Sequence, residues 1–327
     1  MRAPGFWAVD GTMARLLSPL SSVWTAAGRT RRRLASPYRP AVPLICVGNA
    51  VAGGAGKTPV SLALAAELKD LGLKVGFLSR GHGGSEAGPL LVDPAVHDAA
   101  AAGDEPLLLA RSALTVISRD RAVGAGYLQA QGVDVIVMDD GLQNPTLAPT
   151  ASLLVVDGGA GFGNGRVMPA GPLREPLEDA LARVDAVAVI GEDRAGVADT
   201  IGDTRPVMRG LLEPLPGTER FAGARVLGFA GIGRPAKFAE TLRETGAEVV
   251  AFAEFPDHHR WDADEVMELV ERARELGATP VTTEKDAVRL PAAAREMVQV
   301  FPVALVWRDP APVTKWLRRA VGLDPAR

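Results

Sequence analysis

From Pro43 to Leu68 the chain reads P-L-I-C-V, then G-N-A-V-A-G-G-A-G-K-T-P-V, then S-L-A-L-A-A-E-L. A short apolar run, a glycine-rich turn ending in Gly-Lys-Thr and a helical pattern follow one another without a gap. This order confines the chain to folds in which a buried strand delivers a phosphate-binding loop to a helix N-terminus. Glycine lets backbone N–H groups curl around an anion, and the helix adds its positive dipole end. Val51, Ala52, Gly53, Gly54, Ala55, Gly56, Lys57 and Thr58 are therefore the expected nucleotide cradle. Lys57 is placed to reach the β- and γ-phosphates and Thr58 to ligate Mg²⁺. The pattern departs from G-x-x-x-x-G-K-T at its first position, where Val51 stands; Gly53 and Gly54 supply turn freedom further along. The loop alone does not separate a kinase from an ATPase or a switch.

Further apolar runs at 75–78, 114–117, 133–138, 152–156 and 186–190 read as buried parallel strands, with helical patterns at 60–71 and 122–131. That alternation predicts an α/β fold: a P-loop NTPase-like core with a mainly parallel sheet. Phosphate chemistry then gathers at the carboxyl ends of the strands. Prolines and glycine at Pro206, Pro214, Pro216 and Gly217 mark a linker over 208–224. A smaller α/β domain is expected over 225–327: strands at 226–230, 248–251, 279–282 and 300–305, helices at 235–245 and 262–276, and the last residues candidates to pack back on the core. The kinase-type core spans 35–207. Hydrophobic content of 47% with 23% charged residues is that of a globular chain, and a net charge of −3 gives no reason to expect nucleic acid. No segment points to an obligate protein partner. The single cysteine, Cys46, excludes an intramolecular disulfide.

Residues 1–34 form a distinct segment. Phe6, Trp7, Val9, Met13, Leu16, Leu17, Leu20, Val23 and Trp24 recur at roughly helical spacing, followed by Arg29, Arg31, Arg32 and Arg33. Asp10, Arg15 and Pro19 interrupt any run of the ~18 apolar residues that a spanning helix needs. Two readings fit: an amphipathic segment lying on an anionic bilayer, or a helix packed on the protein body.

Asp139-Asp140-Gly141-Leu142-Gln143 leaves the end of an apolar strand, where a P-loop protein keeps metal-binding carboxylates. Adjacent aspartates there point different ways and need not share a role. Asp104, in Gly103-Asp104-Glu105-Pro106, reads either as a helix cap or as a base or metal ligand. Arg80, in Ser79-Arg80-Gly81-His82, suits an anionic ligand. The Gly- and Pro-rich stretch 161–175 has the length of a loop that closes over substrate, with Arg166 and Arg174 available for phosphate. His258 and His259 lack the partners of a zinc site, so a histidine tuned by a carboxylate is the better reading.

Taken in order, P-G-F-W, V-G-N-A-V-A-G-G-A-G-K-T-P, S-R-G-H-G, G-D-E-P, D-D-G-L-Q, G-F-G-N-G-R-V-M-P-A-G-P-L-R-E, F-P-D-H-H and T-E-K-D resemble the tetraacyldisaccharide 4'-kinase family of lipid A biosynthesis over nearly the whole chain. The resemblance implies transfer of the γ-phosphate of ATP to the 4'-hydroxyl of the tetraacyldisaccharide 1-phosphate precursor. It also implies a peripheral enzyme on the cytoplasmic face of the bacterial inner membrane, meeting an anionic surface. Asp104 is then the general base and His258 its partner across a cleft, with Lys57 on the transferred phosphate. Thr58, Glu105, Asp139 and Asp140 serve Mg²⁺, and Arg80, Gln143, Asn144, Arg166 and Arg174 are candidate substrate contacts. Asn144 stands where the family usually has histidine, and His82 where it usually has tyrosine. The competing reading, a P-loop switch or assembly ATPase, often carries a second lysine early in the loop; Asn49–Ala52 contains none.

Overall fold

Runs of apolar residues without alternation can be buried only if both faces of their sheet are covered, and that is how they are used. The computed structural model describes residues 4–324, so the outermost three residues of each expected terminal segment lie outside the described residues. The strands are β1 (Leu44–Gly48), β2 (Val75–Ser79), β3 (Leu90–Leu91), β4 (Leu114–Ile117), β5 (Val135–Asp139), β6 (Ala151–Asp157), β7 (Ala186–Ile190), β8 (Val207–Pro214), β9 (Arg225–Ala230), β10 (Glu248–Glu254), β11 (Thr279–Thr283), β12 (Gln299–Phe301) and β13 (Val303–Trp307). The larger sheet runs β13-β8-β7-β6-β1-β5-β2-β4-β3, parallel except where β3 and β13 pair antiparallel at its edges. Its strands β1, β2, β5 and β7 are buried along their whole length. The smaller sheet, β10-β9-β11-β12, is parallel throughout.

The strand β1 is central, with β5 on one side and β6 on the other. Loops leaving these three carboxyl ends therefore converge. Gly56, at φ 85°, turns the chain from the loop into the helix Lys57–Asp70, a backbone angle that favours glycine.

Two expectations about organisation need correction. Residues 208–224 are not a linker along their whole length: β8 joins the larger sheet between β7 and β13. Pro206 and Pro214 bracket that strand rather than exclude it, and the turn into the smaller unit comes only at Pro216 and Gly217. The apolar run 300–305 is two strands, not one. Pro302 has no N–H for a ladder, and there the chain leaves the smaller sheet and returns to the larger as β13. The C-terminal helix Pro310–Ala320 follows, started by Asp309, whose carboxylate accepts the Ala311 N–H at 3.1 Å. It buries Val313 and Leu317 in the core beneath the P-loop helix, and Thr314 donates to Glu67 at 3.0 Å.

The N-terminal helix Thr12–Leu34 continues through Pro19. Only Ala14 and Ser21 are buried along it, and Ser21 donates to the Val167 carbonyl at 2.6 Å. Val9, Met13, Leu16, Leu20 and Val23, spaced i, i+3 and i+4, all stand exposed.

Candidate functional site

At the P-loop, helix and strand ends interlock through the first aspartate of D-D-G-L-Q. Asp139 is buried and accepts from Thr58 Oγ1 at 3.0 Å and Ser61 Oγ at 2.9 Å. Burial raises its pKa and the nearby negative charge of Glu105 adds to the rise, while Lys57 opposes it. Asp140 turns the other way, at φ 53°. It lies 3.7 Å from Lys57 Nζ and 3.2 Å from Arg174 Nη1. Burial pushes its carboxyl up, but Lys57, Arg174 and Arg121 together hold it below the ordinary value. Gly48 lets this turn approach β1: a Cβ there would meet Leu142 Cβ at 2.5 Å.

Across the cleft, the smaller unit brings His258 to Asp104. Gly103, at φ 89°, lies with its Cα side against the His82 carbonyl, where a Cβ would come within 2.6 Å, and so presents Asp104 at the start of the helix Asp104–Ala110. Gly103 takes the N-cap position; of its own helix's N–H groups Asp104 accepts only that of the neighbouring Glu105, at 3.0 Å, so its other oxygen is free for the cleft. His258 Nδ1 is 3.0 Å from Asp104 Oδ2, and Lys285 Nζ is 3.4 Å from His258 Nε2. Lysine can only donate, so Nε2 accepts and Nδ1 keeps its proton to donate to Asp104. Burial would raise the Asp104 carboxyl, but the His258 hydrogen bond and the charges of Lys285 and Arg289 bring it down to about 2. His258 sits at φ 59°, a left-handed angle costly for a non-glycine residue and held here by its loop.

The loop's anchor was not anticipated from sequence. Arg289, its side chain 5% exposed, donates to the carbonyls of Gly231 at 2.9 Å and His259 at 3.2 Å, and to Asp286 at 2.8 Å. Its Nε lies 3.6 Å from Asp104 Oδ2. Lys285 is within 3.5 Å of both Glu105 and Asp257. In sequence this segment enters only as the T-E-K-D motif, and nothing local to Lys285 or Arg289 separates them from surface charges.

The candidate substrate contacts separate. Gln143 bridges the Asn49 carbonyl at 2.9 Å, Glu175 at 3.2 Å and Arg174 at 3.1 Å. Asn144 closes a local turn onto Thr146, and Arg80 is exposed at the end of β2. Arg166 is not brought to the site: it is paired with Asp10 at 2.8 Å and Ser18 at 2.7 Å, holding the N-terminal segment to the body. Nor is the 161–175 stretch free to close as a flap, because Ala52 donates to Pro172 at 2.8 Å and Arg174 to Ala50 at 2.7 Å. Two residues missed in the sequence face this side. Arg121 Nε and Asn49 Oδ1 are buried without a hydrogen-bond partner. Burial and Arg80 push the Arg121 guanidinium down to about 10. Arg121 reads in sequence only as the first residue of an Asp120-capped helix.

Three of the four arginines of the basic cluster are likewise committed. Arg32 lies 3.0 Å from Glu175 and Arg29 2.8 Å from Asp179, while Arg31 donates to the Gln143 carbonyl at 2.9 Å. His259, 2.6 Å from Glu265 and stacked among Phe255 and Trp261, is structural.

A family model described as tetraacyldisaccharide-1-P 4'-kinase matches residues 13–322. The tetraacyldisaccharide 4'-kinase of Rhodospirillum centenum is 56% identical over 318 residues, 95% of this chain and 94% of that protein. That of Paramagnetospirillum magneticum is 50% identical over 315 residues, 96% of this chain and 97% of that protein. Among solved structures, LpxK from Aquifex aeolicus in complex with ATP is 26% identical, with a TM-score of 0.77 over 95% of this chain and 100% of that one.

Proposed function

Because the chain belongs to the tetraacyldisaccharide-1-P 4'-kinase family, we infer that it is an ATP-dependent kinase transferring the γ-phosphate to the 4'-hydroxyl of the tetraacyldisaccharide 1-phosphate precursor of lipid A, giving lipid IVA. The observation that carries the mechanism is the Asp104–His258 pair, a carboxylate and a histidine from two units 3.0 Å apart beside a P-loop. A switch or assembly ATPase has no use for a base so placed.

The roles follow from the donors and acceptors. Asp104, ionised at neutral pH, takes the proton of the attacking hydroxyl, and the His258 Nδ1–H fixes which carboxylate oxygen is presented. Lys57 exchanges Asp140 for phosphate oxygens and, with Arg174, offsets the charge that gathers on the transferred group. Arg121 and Asn49 offer a donor and an acceptor to a polar acceptor molecule. Thr58, Asp139 and Glu105 fit a hard divalent cation: an oxygen-only set in which burial and the charge of Glu105 already raise Asp139. No group of three or more metal-binding side chains stands ready among the described residues, as suits Mg²⁺ held partly by phosphate oxygens. Bound there with Asp140 nearby, Mg²⁺ would neutralise negative charge between the phosphates.

The acceptor keeps its acyl chains in a bilayer, and the exposed stripe Met13, Leu16, Leu20 and Val23 supports peripheral docking at the cytoplasmic face of the inner membrane. No described helix is long and apolar enough to cross a membrane. Phosphate transfer from ATP to the glycolipid tests this reading: turnover should require the acceptor, and ATP hydrolysis unaffected by it would favour the switch.

A further inference from the structure

The N-terminal helix reaches the phosphate site through two backbone carbonyls. Its inner face rests on the body: Ser21 donates to the Val167 carbonyl at 2.6 Å, and Arg32 pairs with the buried Glu175 at 3.0 Å. Trp24 and Arg31, two turns apart, lie between that face and the exposed apolar stripe. The Trp24 indole N–H donates to the Arg174 carbonyl at 2.9 Å, and the Arg31 guanidinium donates to the Gln143 carbonyl at 2.9 Å. These two acceptors belong to residues whose side chains meet beside Asp140. Arg174 Nη1 donates to Gln143 Oε1 at 3.1 Å and to Asp140 Oδ1 at 3.2 Å. The start of the P-loop holds the same two residues from the other side. The Arg174 N–H donates to the Ala50 carbonyl at 2.7 Å, and Gln143 Nε2 donates to the Asn49 carbonyl at 2.9 Å. Arg174 and Gln143 are thus gripped between the P-loop and one helix. Ser21, Arg29 and Arg32 anchor that helix independently of Trp24 and Arg31.

We propose that Trp24 and Arg31 are positioning residues for phosphate transfer, acting through the guanidinium of Arg174. An arginine side chain has many rotamers, so its tip is aimed only as well as its backbone and its neighbours are held. With the carbonyls of residues 174 and 143 fixed, the guanidinium is set beside Asp140, where the transferred group passes. The Trp24 residue is 51% exposed, so one side chain braces the site from within and meets a bilayer boundary from without. The proposal rests on the role given to Arg174 in the kinase reading and adds what aims it. Seating the helix on the body and aligning the site are then one event.

Steady-state phosphate transfer to the glycolipid in neutral mixed micelles, at fixed ionic strength, tests it without charge attraction to a membrane. Trp24→Phe keeps an aromatic ring and removes the N–H. Arg31→Met removes the donor, and Arg31→Lys supplies one again. Trp24→Phe and Arg31→Met should each lower kcat about three- to tenfold, the effect of losing one hydrogen bond that sets alignment, with KM for MgATP little changed. Arg31→Lys should stay near the unsubstituted enzyme. Arg174→Ala separates aiming from anchoring, because it keeps the carbonyl that Trp24 holds and lacks the guanidinium. In that background Trp24→Phe should lower kcat no further. A merely structural bond predicts the same loss in both backgrounds. That result, or an unchanged kcat in Trp24→Phe and Arg31→Met, overturns the proposal. Normal turnover by Arg174→Ala overturns it together with the role given to Arg174. Failure of the unsubstituted enzyme to phosphorylate the glycolipid would instead overturn the kinase reading beneath both.

Discussion

Replacing Leu16 and Leu20 with serine probes the exposed face of the N-terminal helix. They are 69% and 56% exposed, so more than half of each side chain remains to be taken out of water. Complete burial of a leucine is worth about 1.5–3 kcal/mol, which leaves about 1 kcal/mol or more per residue for insertion into a bilayer boundary. The double substitution should therefore cost about 2 kcal/mol, or about thirtyfold in vesicle partitioning. The loss should be nearly independent of salt, because apolar insertion is not screened. Stability should hardly change, since neither side chain packs on the body. The basic residues should behave differently from a simple polybasic patch. Arg33→Ser removes a charge with no described partner and should cost about 1 kcal/mol at low salt only. Arg32→Ser takes a partner from Glu175, which is buried, so it should loosen the helix itself. Co-sedimentation with anionic vesicles at two ionic strengths reads all three. Unchanged binding in the Leu16/Leu20 variant would refute the assignment of this face to the membrane.

Lys57→Ala should lower kcat by roughly a hundredfold or more while the protein stays folded; a folded variant with normal turnover contradicts the phosphate role. Arg289→Ala strips the ion pair from Asp286, which is fully buried. Burial already pushes Asp286 up, so it can take a proton in response. The cost should be near the low end for a broken buried pair, about 3 kcal/mol, seen as a drop in Tm of about 4 °C; an unchanged Tm would sink it. The Arg29 hydrogen bond holds Asp179 below its ordinary value. A depressed carboxylate contributes stability above its unfolded pKa of about 3.9 and loses it as pH falls through the lower folded value. Hydrogen-exchange protection of the N-terminal helix should thus drop below about pH 4, and Asp179→Asn should remove much of that drop; an identical pH dependence in the variant would contradict the clamp.

The larger sheet was legible because its strands are uninterrupted apolar runs, and the P-loop because glycines and Lys57-Thr58 sit between strand and helix. What escaped depends on distant partners. Pro206 and Pro214 look like linker residues until β13 returns to pair beside them. Arg166 and Arg32 look like phosphate or headgroup ligands until Asp10 and Glu175 are found opposite. Arg121, Asn49, Lys285 and Arg289 carry no local pattern that separates a site residue from a helix start or a surface charge; only the folded arrangement buries Arg121 Nε and Asn49 Oδ1 without a hydrogen-bond partner and sets Lys285 and Arg289 beside Asp104. The Asp104–His258 pair spans 154 residues, and its residues were named through resemblance, not through spacing.

The most direct test of the account is a double-substitution cycle at that pair, read as phosphate transfer to the tetraacyldisaccharide 1-phosphate acceptor alongside MgATP binding. Deprotonating a sugar hydroxyl during attack is worth roughly a hundredfold to ten-thousandfold. Asp104→Asn and His258→Ala should each lower kcat with little change in MgATP affinity, and the double variant should be little worse than Asp104→Asn alone, because His258 acts through Asp104. Fully additive losses, or an Asp104→Asn enzyme that turns over normally, would contradict it.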